Sequence, residues 1–338
     1  MGRKPNETPE IPDDMFTPAS PGIVTKAETS AAPLTFWQEA WRRLRKNKGA
    51  LAGLITIVFL IVVSLIGPLF NEYSYSQQDL VRSNLPPKIA GLEWLGFDGT
   101  RSSGENTYEE RGITANAWFG TDEFGRDLWT RLWKATQVSL FIGVVAAFLD
   151  LLIGVVYGGI SAFYGGRLDN VMQRIIEVLV GIPNLIVIIL FILIFEPGIL
   201  SIILAMIITG WVGMARVVRG QILQLKGQEF ILAARTLGTS NGKLIWKHLF
   251  PNVMGPIIIT VMFTIPSAIF FEAFLSFIGL GLQPPLASLG VLIEDGYQSM
   301  RFFSYKLIFP AIVISALMIS FNLLADGLRD ALDPKMRR

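Results

Sequence analysis

Long uncharged apolar runs separated by shorter polar stretches dominate this chain. Residues 49–70 hold no charge, and such a run crosses roughly 30 Å of hydrocarbon as a helix rising about 1.5 Å per residue. Comparable runs follow at 138–163, interrupted by Asp150, and at 175–195, which carries Glu177 and a Gly181-Ile182-Pro183 break. After the turn at Glu196-Pro197-Gly198 come 199–215, 252–277 with Pro256 and Pro266, and 307–324. The pattern predicts an all-α integral membrane protein with six transmembrane helices.

The polar stretches give the organisation. Residues 1–35 are rich in Pro, Glu, Asp, Ser and Thr and read as a disordered tail. In 36–48, Trp37, Ala40, Trp41 and Leu44 share a helix face, and Arg42, Arg43, Arg45 and Lys46 cover the rest, which suits the headgroup layer. Segment 71–137 is long for a loop and is expected to be either a small ordered cap or a flexible insert. Loop 216–251 holds Arg216, Arg219, Lys226, Arg235, Lys243 and Lys247 against Glu229, whereas loop 279–306 sets Arg301 and Lys306 against Glu294 and Asp295. By the positive-inside rule the basic loop is cytoplasmic, and so are both termini. The expected division is a cytoplasmic tail with interfacial helix (1–48), a first transmembrane helix (49–70), an extracytoplasmic segment (71–137), a five-helix core (138–328) and a cytoplasmic tail (329–338).

Within the basic loop, residues 229–251 form a charged island. Phe230, Ala233, Ala234 and Leu237 follow the i, i+3, i+4, i+7 spacing of a helix face, and Gly238 stands where a left-handed cap is wanted. Thr239 or Ser240 is placed to accept the first free amides of a second short helix carrying Leu244, Ile245 and Leu249. Pro251 is expected to end the island, because proline suits a first helical turn and not an interior.

Ala233-Ala234-x-x-x-Gly238, followed by His248-Leu249-Phe250-Pro251, resembles the "EAA" loop of ABC importer permeases, although Leu232 stands where that family has Glu and Glu229 lies a turn earlier. Phe119-Gly-Thr-Asp-Glu-Phe-Gly-Arg-Asp127 is similar to the signature before the core of peptide and nickel importers. Together they resemble the C-type permease subunit of oligopeptide or dipeptide ABC importers, over about residues 119–332. The resemblance implies a type I importer permease fold with a cytoplasmic coupling loop at Glu229, Ala233, Ala234, Arg235, Gly238, Lys243, His248 and Pro251. It implies a sister permease as heterodimer partner, two cytoplasmic ATPases that bind ATP and Mg, and an extracytoplasmic peptide-binding protein. The chain itself is then a plasma-membrane subunit with no cofactor and no catalytic site. A nickel or glutathione importer, or a secondary transporter without an ATPase, stays open as an alternative.

Composition narrows the chemistry. Charged residues make up 17%, against about 25% in soluble domains, and 51% are hydrophobic. There is no cysteine and His248 is the single histidine, which removes thiolate and multi-histidine metal sites. The net charge of +2 argues neither for nor against nucleic acid, and no nucleic-acid partner is expected. Gly238-Thr-Ser-Asn-Gly242 lacks the strand–turn–helix setting of a hydrolase elbow, and Gly238 to Leu244 is too short and lacks the Ser or Thr of a P-loop. Ionisable residues inside spans point to function. Asp150 fits either a translocation path or a helix-pairing role, and Glu272 either an outer gate or packing. Gly49-x-x-x-Gly53 and Gly154-x-x-x-Gly158 predict close helix approach.

Overall fold

The computed structural model describes residues 36–101 and 104–332, where the regular elements are helical. The expected disordered tail, 1–35, and residues 333–338 lie outside the described residues. Helix α1 (Phe36–Lys46) buries Ala40 and Leu44 and leaves Trp37 and Trp41 exposed. The Asn47 side chain accepts the Ala50 amide at 3.1 Å and so caps α2 (Lys48–Ile66). Asp127 opens α3 (Leu128–Tyr164) by accepting the Thr130 amide and hydroxyl, both at 2.9 Å.

Next come α4 (Gly166–Gly181) and α5 (Asn184–Phe195), bent 78° from one another. The bend has a local cause. Ile182 precedes Pro183 and is held extended at φ −87°, ψ 123°, where a helix cannot continue. Helix α6 (Ile199–Lys226) leads to the short α7 (Glu229–Thr236); α8 (Phe250–Leu275), α9 (Leu289–Ser299) and α10 (Tyr305–Leu332) complete the order. Five elements are long and apolar enough to cross a membrane, and α4 with α5 makes a sixth if the pair is one broken span.

Close glycine contacts hold the bundle. A Cβ on Gly154 would lie 2.6 Å from Met214 Cβ, and one on Gly158 would run into the Ala215 carbonyl, so α3 and α6 touch backbone to backbone. Gly53 does the same for α2 and α10, where a Cβ would sit 2.6 Å from the Ser320 carbonyl. Several helices outrun their apolar sequence. α3 begins at Leu128 because Thr130 and Arg131 are buried at its start. α10 continues past 328 to Leu332, since Ala331 and Leu332 are buried.

Segment 71–127 is an ordered cap on the ends of α3 and α10, with no helix longer than one turn among its described residues. Tyr108 is its centre, packed with Leu85 and Ala117; its hydroxyl donates to the Pro86 carbonyl at 2.8 Å and accepts the Ala117 amide at 3.3 Å. Phe119 stacks on Phe309 of α10 at 4.0 Å between centroids, and Trp129 Nε1 donates to the Gly67 carbonyl at 2.8 Å. In 119–127 the Asp122 carboxylate accepts the amides of Phe124 and Arg126, both at 2.9 Å, and Arg126 Nε at 2.6 Å. Gly125, at φ +71°, backs onto the Asp79 carbonyl with no room for a side chain. The signature is a closed structural turn that fixes the start of α3.

Candidate functional site

The island is a short helix, a glycine turn and a second helical stretch, pinned by three buried side chains. Ile231 is buried with Leu244 and Leu249, packed with Ala162 and Phe163 at the end of α3 and Val218 and Ile222 of α6. Each such burial from water contributes about 2 kcal/mol, which seats the island on two spans at once. Ala234, Ile245 and Phe250 pack against the same cluster, whereas Phe230, Leu232 and Trp246 are exposed, and Leu237 is 85% exposed. An exposed apolar patch rimmed by charge marks an interaction surface.

Gly238 turns the chain as expected. At φ +78° its amide donates to the Arg235 carbonyl at 3.0 Å while the Thr239 amide reaches the Ala234 carbonyl at 3.1 Å, a Schellman cap. Two expectations fail. Neither Thr239 nor Ser240 caps the next helix with its side chain; the Ser240 backbone carbonyl takes the Leu244 amide at 2.9 Å instead. Nor does Pro251 end the island. Residues 244–249 form a wide π-type turn in which the Phe250 amide bonds Ile245, and the helical backbone continues from Asn241 through the proline into α8. The wide turn absorbs the missing proline N–H, and Asn252 Nδ2 donates to the His248 carbonyl at 2.6 Å.

Glu229, Ala233, Arg235, Lys243 and Pro251 are exposed on this island, with Ala234 and His248 half-buried. No ion pair joins Glu229, Arg235 or Lys243 to the described residues. Behind it, Lys226 Nζ donates to the Phe163 carbonyl at 2.6 Å, tying α6 to the end of α3.

Asp150 and Glu272 are not brought together. Asp150 lines a cavity of about 410 Å³ among α3, α5, α6 and α8. Its other polar lining groups are Asn184, Thr209, Thr260, Thr264 and Ser267. Glu272 is absent from that lining and fully buried, accepting Ser139 Oγ at 3.0 Å and Ser276 Oγ at 2.8 Å. Ser139 Oγ also accepts the Leu289 amide at 3.1 Å, so Glu272 sits in a knot joining α3, α8 and the start of α9. Thr260, Thr264 and Ser267 are functional candidates that only the cavity brings out, though their i, i+4, i+7 spacing is visible in the sequence.

Comparison with known proteins decides the family. The family model of the binding-protein-dependent transport system inner membrane component matches residues 150–338, and that of the N-terminal TM domain of oligopeptide transport permease C matches 35–87. The dipeptide transport system permease protein DppC of Bacillus subtilis (strain 168) is 45% identical over 99% of this chain and 97% of its own. The chain belongs to the family of binding-protein-dependent transport system inner membrane components. The oligopeptide transport system permease protein OppC of the same organism is 44% identical, covering 97% of this chain and 99% of the relative. OppC of Escherichia coli (strain K12) is 38% identical over 90% of this chain and 92% of the relative. Among solved structures, the inward-facing MetNI methionine ABC transporter aligns with a TM-score of 0.51 at 18% identity, over 60% of this chain and 96% of that one. That likeness carries the fold alone: over 60% of its length the chain shares the helical fold of that transporter's matched chain. The island lies inside the region matched by the inner membrane component model.

Proposed function

We propose that this chain is a transmembrane permease subunit of an ATP-driven importer of oligopeptides or dipeptides, and that residues 229–251 couple it to ATPase subunits. The observation that carries the coupling role is the island's geometry. One face is buried at the ends of α3 and α6, and the opposite face offers Phe230, Leu232 and Leu237 around the Gly238 turn. Ala233 and Gly238 keep that face low enough to enter a groove. Glu229, Arg235 and Lys243 supply polar rim contacts, and His248 and Pro251 close the far end.

The peptide cargo is supported by relatives named for dipeptide and oligopeptide transport across nearly the whole chain. In this reading the chain is a plasma-membrane protein with both termini and the island cytoplasmic. The cap over α3 and α10 faces the other side, toward a peptide-binding protein. A sister permease completes the path, and two ATPases bind and hydrolyse ATP with Mg; the chain itself carries no catalysis. Movement of the ATPases reaches α3 and α6 through the buried face of the island, and the cavity at Asp150 alternates between the two sides.

Affinity purification of the chain from its own membranes in mild detergent tests this. Two ATPase subunits and a second permease are expected to come with it. A stable homomer without a nucleotide-binding partner would contradict the reading.

A further inference from the structure

The α3 face that meets α6 carries residues 150, 154 and 158 one turn apart, and two of them are glycines pressed against α6. At the third position stands Asp150, with Gly210 of α6 opposite. A Cβ on Gly210 would lie 2.5 and 2.7 Å from the carboxylate oxygens, so α6 lacks a side chain where the carboxylate needs the space. Asp150 is 7% exposed, yet its carboxylate has no hydrogen bond or ion pair among the described residues. It opens on the cavity, whose lining contains no Lys, Arg or His.

The facing wall has its own polarity. Thr260 donates its hydroxyl proton to the Pro256 carbonyl at 2.8 Å, Thr264 to Thr260 at 2.9 Å and Ser267 to Phe263 at 2.8 Å. Each proton is used inside α8, so these oxygens present lone pairs to the cavity. An unpaired carboxylate facing a row of acceptors makes this part of the cavity rich in lone pairs, with Asn184 and Thr209 as the lining groups that can also donate. It is complementary to a group with several N–H bonds and a positive charge.

We propose that Asp150 is the point in the translocation path where the α-ammonium of the cargo peptide is received, with the α8 hydroxyls accepting its remaining protons. This rests on the peptide-importer reading above and adds the recognised group to it. A helix-packing role would need a partner for the carboxylate, and the described residues supply none.

The test measures uptake of Ala-Ala-Ala and of its desamino analogue, propionyl-Ala-Ala, by the purified complex in liposomes. Wild type is compared with Asp150→Asn. The preference for the free amine in the wild type is expected to shrink about tenfold in the variant, the size of one hydrogen bond to a charged group. Asp150→Glu should keep most of the preference, and it stands in if the Asn variant does not assemble. An unchanged preference in Asp150→Asn with wild-type uptake intact overturns the inference and leaves the importer reading standing. Should assembly survive in Glu and fail in Asn with no change in preference, the carboxylate pairs with the sister permease and the inference is likewise overturned. Failure of the wild type to take up either compound would instead sink the importer reading.

Discussion

Arg219 of α6 holds both oxygens of the Asp169 carboxylate on α4, through Nε at 2.7 Å and Nη2 at 2.6 Å. Ser161 of α3 donates to the same carboxylate, and Gln173 donates to Ser161 at 3.1 Å. Three helices therefore meet at one acid, just where α4 leaves α3. Lysine cannot reproduce a planar two-point contact. Arg219→Lys is expected to cost about 1–2 kcal/mol, and thermal unfolding in detergent should show a midpoint lower by about 2–4 °C. An equal loss when the substitution is made on an Asp169→Asn background would show that the pair is not the cause.

The α3–α6 contact makes a sharper prediction. Gly158→Ala would drive its methyl into the Ala215 carbonyl, and such overpacking costs about 1–3 kcal/mol. Gly220→Ala on the same α6 meets nothing within 4 Å and replaces a poor helix former, so it should be neutral or slightly stabilising. Comparing unfolding midpoints of the two variants checks this. Similar behaviour of both would mean the helices are not in backbone contact.

Burial pushes the Tyr108 hydroxyl of the cap up to about 12. The same group ionises near pH 10 in an unfolded chain. Stability from the protonated phenol is thus fully present below about pH 10 and is lost between about 10 and 12. Tyr108→Phe leaves the Pro86 carbonyl without its donor and should cost about 1 kcal/mol at neutral pH. It should also make the alkaline decline shallower than in the wild type. Parallel pH profiles of the midpoint would contradict this account.

Much of this was legible from residues alone. An uncharged run such as 49–70 has few structural options in a membrane, and Gly238 after Leu237 names its own backbone conformation. The bend at Gly181-Ile182-Pro183 was visible for the same reason. What failed depended on surroundings. Pro251 ends a helix only if the preceding turn is α, and the wide turn at 244–249 removed that condition. Asp150 and Glu272 look alike in sequence, each an acid in an apolar run. Serines from 133 residues before and four after Glu272 satisfy it, while Asp150 faces a cavity. Only tertiary structure separates them. The hydroxyl stripe on α8 was readable and was hidden by the apolar residues between its members.

Gly238 is the position where fold and function can be separated. Its φ of +78° strains any side chain, though a Cβ there would touch nothing within 4 Å. Asn tolerates this conformation and β-branched Val does not. Gly238→Asn should retain most ATPase association, whereas Gly238→Val should lose the turn after α7 at a cost of about 1–2 kcal/mol per strained residue. The island is small and surface-held, so Gly238→Val is expected to remain in the membrane at near wild-type level, as membrane fractionation would show. Loss of the whole protein from the membrane would make Gly238 a folding residue.

The most direct measurement of the central claim is ATP-driven accumulation of a labelled tripeptide in liposomes containing the complex, with wild type beside Gly238→Val. The account predicts accumulation that requires ATP and binding protein in the wild type. It predicts little accumulation in Gly238→Val although the protein is present in equal amount. Peptide entry independent of ATP, or equal accumulation by the two proteins, would contradict coupling through residues 229–251.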